Sequence, residues 1–278
     1  MEENPYSSTA YWLSQFTLPW SLLFLGDWGE MLREIKAGIA MADKNRYEFR
    51  AQTLRLYQAW LHFHGMDFRG VVSICDSILP SFSDAPQSPW RRFCLILAGS
   101  AFTALANYED AWKRFSWAGD EMDRQTVIYD WYTRILLESG LTEFWLAKDD
   151  LPQARSHAER LLKRTQATPE RTWQALAREA NARVATAEHD LEKARDCITK
   201  ALLRMEGCEV PLAAWRVHAT GAELSDHMGN SGLAEYHCQL SRATILKLSN
   251  SLPAEERLRK AFLSAAPIRK VLETSYGS

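Results

Sequence analysis

The sequence predicts an all-α chain: a right-handed superhelical α-solenoid of about six antiparallel helix pairs, closed by a C-terminal capping helix. Three observations carry this. First, no useful length alternates apolar and polar residues with a period of two, and no Asn-Gly hairpin dipeptide occurs. Second, six short segments share one shape: "LGDWGEM" (25–31), "GMDFRGV" (65–71), "LANYEDA" (105–111), "KDDLPQA" (148–154), "EHDLEKA" (188–194) and "MGNSGLA" (228–234). Their third residues, Asp27, Asp67, Asn107, Asp150, Asp190 and Asn230, stand about 40, 40, 43, 40 and 40 residues apart, a period typical of helical repeats. Third, mostly small residues recur eight before each anchor (Pro19, Ala59, Gly99, Thr142, Ala182, Ala222) and four after it (Met31, Val71, Ala111, Ala154, Ala194, Ala234). Two helices joined by a tight turn approach closely only where both carry little bulk. An Asp or Asn at the turn can cap the second helix by accepting a following amide.

The elements follow in order. The pairs run from about Ala10 to Leu248. In the first, Pro19 falls inside a helix, where it costs about 3 kcal/mol unless the helix breaks or kinks. Between the second and third pairs, the Pro/Ser stretch "PSFSDAPQSPW" (80–90) is a connector, since the period passes through it unchanged. The fifth pair is the clearest. Trp173, Leu176, Ala177, Ala180, Val184 and Ala187 share one helical face, with Thr168 as cap before Pro169–Glu170. Its second helix, Leu191 to about Met205, ends near Gly207, before the Pro211 that opens the sixth pair. A final helix from about Pro253 to Ser264 presents a polar Glu256–Arg257–Lys260 face as a cap, and residues 1–9 and 273–278 should fray. The expectation is one repeat domain over 1–278.

Composition bounds the function. The 278 residues are 46% hydrophobic and 24% charged, ordinary for a folded chain. A formal net charge of −2 offers no field for a polyanion, which argues against nucleic acid. The five cysteines never form a C-x-x-C and read as reduced thiols packed in helices. The apolar run Phe16–Leu25 is too short for a membrane span, and Glu2 and Glu3 precede it where a secretory signal would be basic. A cytoplasmic protein is expected.

Three apparent chemical motifs dissolve into this frame. His189–Asp190 looks like a catalytic or metal pair, yet Asp190 is one copy of a turn residue that elsewhere has no His before it. Asp149–Asp150 is the same corner. His62 and His64 lie two apart on a helix and point to different sides, so one metal cannot take both. No cofactor is expected.

The small residue placed twelve before an Ala, across a turn, resembles the tetratricopeptide repeat, here with a period of about 40 instead of 34. The segments "ERTWQALAREANARVA" (170–185), "EVPLAAWRVHATGAEL" (209–224) and "SRATILKLSNSLPAEERLRKAFLSAAPIRKVL" (241–272) are also similar to the C-terminal helical-repeat region of bacterial signalling proteins. Those join such repeats to a signal-transduction ATPase and a LuxR-type transcriptional-regulator or nucleotidyl-cyclase domain. The resemblance implies no catalytic residues. The phosphate loop and recognition helix of those neighbours are missing, as expected of a piece of a longer protein or of a stand-alone remnant.

By analogy with tetratricopeptide stacks, first helices line the concave face. The column seven before each anchor (Trp20, Trp60, Ser100, Glu143, Arg183, Glu223), with Thr53, Phe93 and Arg216 beside it, is the candidate groove. It runs from aromatic to charged, suiting a peptide or small ligand with an apolar and a polar part. Trp20 and Trp60 could equally pack between neighbouring pairs. Trp90, Trp131, Trp173 and Trp215 should fill the space between pairs, and Tyr11, Trp12 and Phe16 leave the N-terminal end open to a preceding domain. The favoured function is a non-catalytic protein-binding module, whose expected partner is a protein or peptide such as an adjoining ATPase or output domain. The alternative is a small-molecule (inducer) sensor, and an all-helical enzyme is the least supported.

Overall fold

The computed structural model describes residues 9–82 and 88–276, with side chains from Thr17 onward. Among them are fourteen α-helices and no strand. Six helical hairpins come first: α1 (Thr9–Leu25) with α2 (Trp28–Lys44), α3 (Glu48–His64) with α4 (Phe68–Ile78), α5 (Pro89–Ala104) with α6 (Tyr108–Arg124), α7 (Asp130–Ala147) with α8 (Leu151–Gln166), α9 (Arg171–Ala187) with α10 (Leu191–Met205), and α11 (Pro211–His227) with α12 (Ser231–Asn250). A 3-10 turn, Leu79–Phe82, extends α4, and two short helices, α13 (Arg257–Ser264) and α14 (Ala266–Glu273), finish the chain.

All six corners are built alike. The residue before each anchor is left-handed: Gly26, Met66, Ala106, Asp149, His189 and Gly229, with φ between 58° and 79°. The anchor's amide reaches back to the carbonyl five residues earlier, as in Asp67 to His62 (2.9 Å) and Asp190 to Ala185 (2.9 Å). Its side chain then accepts the amide three residues on, in Asp27, Asp67, Asn107, Asp150, Asp190 and Asn230 alike. One residue therefore closes the first helix and opens the second. His189 is exposed at the left-handed position of such a corner, with no partner that would make it chemical.

The small columns are the hairpin contacts. Met31, Val71, Ala111, Ala154, Ala194 and Ala234 are all fully buried. A Cβ on Gly99 would lie 2.9 Å from the Phe115 ring, so only glycine lets α5 and α6 close there. The first helix of a pair is buried around most of its circumference: α9 buries twelve of its residues, whereas α10 buries only Ala194, Ile198 and Ala201. First helices are inner and second helices outer.

The two ends of the chain meet. Trp28, at the start of α2, packs edge-on against Phe262 of α13, with ring centroids 5.0 Å apart, and its amide donates to Ser251 Oγ. Lys36 bonds Glu256 at 3.1 Å. Gly26, Gly29 and Gly65 abut Leu248, the Ser251 carbonyl and Leu258 so closely that a Cβ would collide.

Several expectations are corrected. The last helices are not a free polar cap, because α13 is covered by α2, and it begins at Arg257 rather than near Pro253. The tail does not fray from 273: Arg242 donates to the Thr274 carbonyl (2.7 Å) and the Tyr276 amide to Glu235 (3.1 Å). Helix α1 runs unbroken through Pro19. The cap of α9 is Glu170, which accepts the Thr172 and Trp173 amides, and Thr168 instead bonds the Thr165 carbonyl. Trp173 and Trp215 are buried as expected, but Trp131 is 55% exposed at the start of α7. The side chains of Tyr11, Trp12 and Phe16, residues 1–8 and 277–278, and the centre of the Pro/Ser connector (83–87) lie outside the described residues.

Candidate functional site

The inner helices bring most of the candidate column together as two adjoining clusters. The first is aromatic. Trp60 on α3 is fully buried, with Trp20 (5.0 Å), Phe93 (5.1 Å) and Phe24 (5.8 Å) edge-on around it. Trp20 reaches across the inner face to Tyr132 at the start of α7, centroids 4.5 Å apart. Tyr132 in turn accepts a hydrogen bond from the Trp173 indole on α9 (3.1 Å). Edge-on ring pairs of this kind add attraction beyond the area they cover.

The second cluster is charged. Arg183 on α9 donates two hydrogen bonds to Glu143 on α7, the longer of 2.9 Å. Glu179 on α9 accepts from Thr220 on α11 (2.8 Å), and Glu223 on α11 from Lys270 on α14 (2.7 Å). The Glu143 and Arg183 side chains are each 36% exposed, so water reaches them from one side. Burial pushes the Glu143 carboxyl up, but the Arg183 guanidinium more than reverses this and holds it below the usual range. Glu143 in turn raises the pKa of the Arg183 guanidinium. Glu179 goes the other way: burial raises its pKa, and Arg183 only partly offsets that.

Between the clusters lies His64, near Trp60 and within the field of Arg216. Burial, then that cation, lowers its pKa to about 3, so the imidazole is neutral. Arg216 rests over the Trp215 ring at 5.3 Å.

Of the residues singled out from sequence, Trp20, Trp60 and Phe93 meet in the first cluster, and Glu143, Arg183, Arg216 and Glu223 in the second. Thr53 and Ser100 stand apart: Thr53 is buried, its hydroxyl on the Phe49 carbonyl, and Ser100 is half-buried beside Gly140. Trp60 and Phe93 are covered by the chain's own rings. The sequence reading missed Phe24, Tyr132, His64, Glu179 and Thr220. One signal was present: Glu143, Arg183 and Glu223 alternate in sign down one column, and residues one period apart lie on adjacent inner helices.

No protein-family model matches the chain, and no curated protein matches it in sequence.

Elsewhere, Glu138 gathers His157 (2.8 Å), Arg160 (3.1 Å) and Arg164 between α7 and α8. An open cleft of about 360 Å³ lies along Trp117, Arg91 and Arg124. Among the described residues, no three His, Cys, Asp or Glu side chains converge as metal ligands, and no helix is long and apolar enough to cross a membrane.

Proposed function

We propose that the chain is a non-catalytic protein-interaction module, a right-handed superhelical α-solenoid of tetratricopeptide-like hairpins that serves a bacterial signalling or transcriptional regulator in the cytoplasm. One observation carries this reading. Six identically built corners align the inner helices so that ring and charge clusters are assembled from several pairs, which is how repeat proteins form extended recognition surfaces. The polar groups of the second cluster satisfy one another, Arg183 with Glu143, Glu179 with Thr220 and Glu223 with Lys270.

The test is binding in trans. A signal-transduction ATPase domain encoded with this chain is titrated into it by calorimetry, with an output domain as a second titrant. Saturable binding of either supports the module, and heat with neither removes the reading. A second reading, an inducer sensor, is favoured by the partly water-accessible Glu143–Arg183 pair beside Arg216. It predicts a thermal shift with a charged metabolite that Arg216→Ala abolishes, without any protein partner.

A further inference from the structure

We infer that His218 and His237, facing each other across the last hairpin, form a two-coordinate site for a soft monovalent metal ion of the copper(I) class. The site lies between α11 and α12, apart from both inner-face clusters, and does not depend on the interaction-module reading.

The evidence is the geometry of the pair. The two Nδ1 atoms are 2.9 Å apart. The ring centroids are 5.2 Å apart, further than the nitrogens by about one ring radius on each side, so the Nδ1 atoms point head-on at one another. Gly221 makes this possible. A Cβ there would lie 3.3 Å from the His237 ring, so the glycine lets that ring rest against α11 with Nδ1 turned to His218. His237 is buried and His218 half-buried, so an ion enters from the His218 side.

The donor set selects the ion. Burial keeps protons off both imidazoles, and the neutral ring is the form that ligates. Nitrogens aimed at each other suit linear coordination, the preference of closed-shell monovalent ions, and imidazole suits copper. Among the described residues, no third His, Cys, Asp or Glu side chain converges on the pair. The Cys238 thiol, next in sequence, turns instead to the Val271 and Thr274 carbonyls. Zinc would lack half of its usual ligands, and magnesium or calcium would lack oxygens. Metal–imidazole bonds of about 2 Å set the nitrogens of a linear bridge about 4 Å apart, so uptake widens the pair by roughly 1 Å. The shared hydrogen then moves from Nδ1 to Nε2 of its own ring, and no proton is released.

The probe is copper(I), kept reduced under nitrogen and delivered from a coloured chelator. It is titrated into the full chain carrying Cys197→Ser and Cys208→Ser, the two thiols that are not buried. Expected is one equivalent bound, with X-ray absorption showing two nitrogen neighbours and no sulfur. His218→Gln in that background should weaken uptake at least a hundredfold, and zinc should bind at least a hundredfold more weakly than copper(I). A sulfur neighbour, or uptake unchanged by His218→Gln, overturns the site. Zinc held as tightly as copper(I) overturns the assignment to a monovalent ion. Should His218→Gln unfold, the nitrogen-15 spectrum of the histidine side chains decides in the chain that keeps both rings. One equivalent of copper(I) should shift the Nδ1 resonances of His218 and His237 together, and resonances that stay in place overturn the inference.

Discussion

Each corner concentrates two demands on adjacent residues, one for a left-handed backbone and one for a side-chain acceptor. The acceptor was legible in the sequence, because Asp and Asn are the residues that cap. The left-handed position was not, because Met66, Ala106 and His189 fill it with types that ordinarily avoid it. Glycine stands there only in the first and last pairs. Two substitutions separate the demands. Asp190→Ala removes a cap and should lower stability by about 1 kcal/mol, read as a lower urea midpoint at unchanged m-value. Ala106→Gly relieves the left-handed strain and should raise stability, by up to about 1 kcal/mol after the entropy of the freer unfolded chain is subtracted. A fall in the midpoint for Ala106→Gly would mean that the corner is not strained at φ 58°.

Helix boundaries came through in the sequence because caps and small columns are local, whereas the polar fastenings between helices did not, having no fixed spacing. Arg92 and Asp130 are an instance. Their side chains are almost fully buried, two 2.6 Å contacts join them, Arg92 also holds the Glu121 and Gln125 carbonyls, and Asp130 holds the Val127 amide. Together they pin the α6–α7 connection onto α5. Asp130→Ala would strand a buried guanidinium and should cost about 3 kcal/mol or more, measured by urea unfolding. A second fastening is sensitive to pH. His218 on α11 and His237 on α12 share one hydrogen between Nδ1 atoms 2.9 Å apart, which requires the accepting ring to be neutral and fails when both are protonated. Burial, then His237, lowers His218 to about 4, and burial lowers His237. The unfolded rings titrate near 6.5, so between about pH 6.5 and 4 the unfolded chain binds protons that the folded chain refuses. Stability should therefore fall as pH drops through that window, and His64 carries the loss on towards pH 3. Glu138 and Glu143, both held low, add their loss only below the ordinary carboxylate range. Thermal midpoints from pH 7 to 4 should decline less steeply in His218→Gln, and an unchanged slope would remove this pair as the cause.

The whole molecule is decided by contacts between residues more than two hundred apart, and these leave no periodic trace. Gly26 and Gly29 recur only in the last pair, as Gly229 and Gly232, and Gly65 recurs in none, so the meeting of the chain's ends was invisible in the sequence, and α13 read as a free cap. The same closure explains the inner face. With the first hairpin packed on the last, Trp20 is carried across to Tyr132, and the aromatic half of the candidate groove is covered from within. Two glycines test this closure against its own control. Gly26 and Gly229 occupy the same corner position, with φ of 79° and 75°. A side chain at either meets the same left-handed strain, on the order of 1 kcal/mol. Around Gly229 there is open space, but a Cβ on Gly26 would lie 2.7 Å from Leu248 and 3.0 Å from Pro211. Gly26→Ala must therefore shift the last hairpin as well as strain the backbone. Its thermal midpoint should drop by several degrees more than that of Gly229→Ala, and amide exchange in α2 and α13 should quicken together. Equal midpoints would mean that the first and last hairpins do not pack in solution.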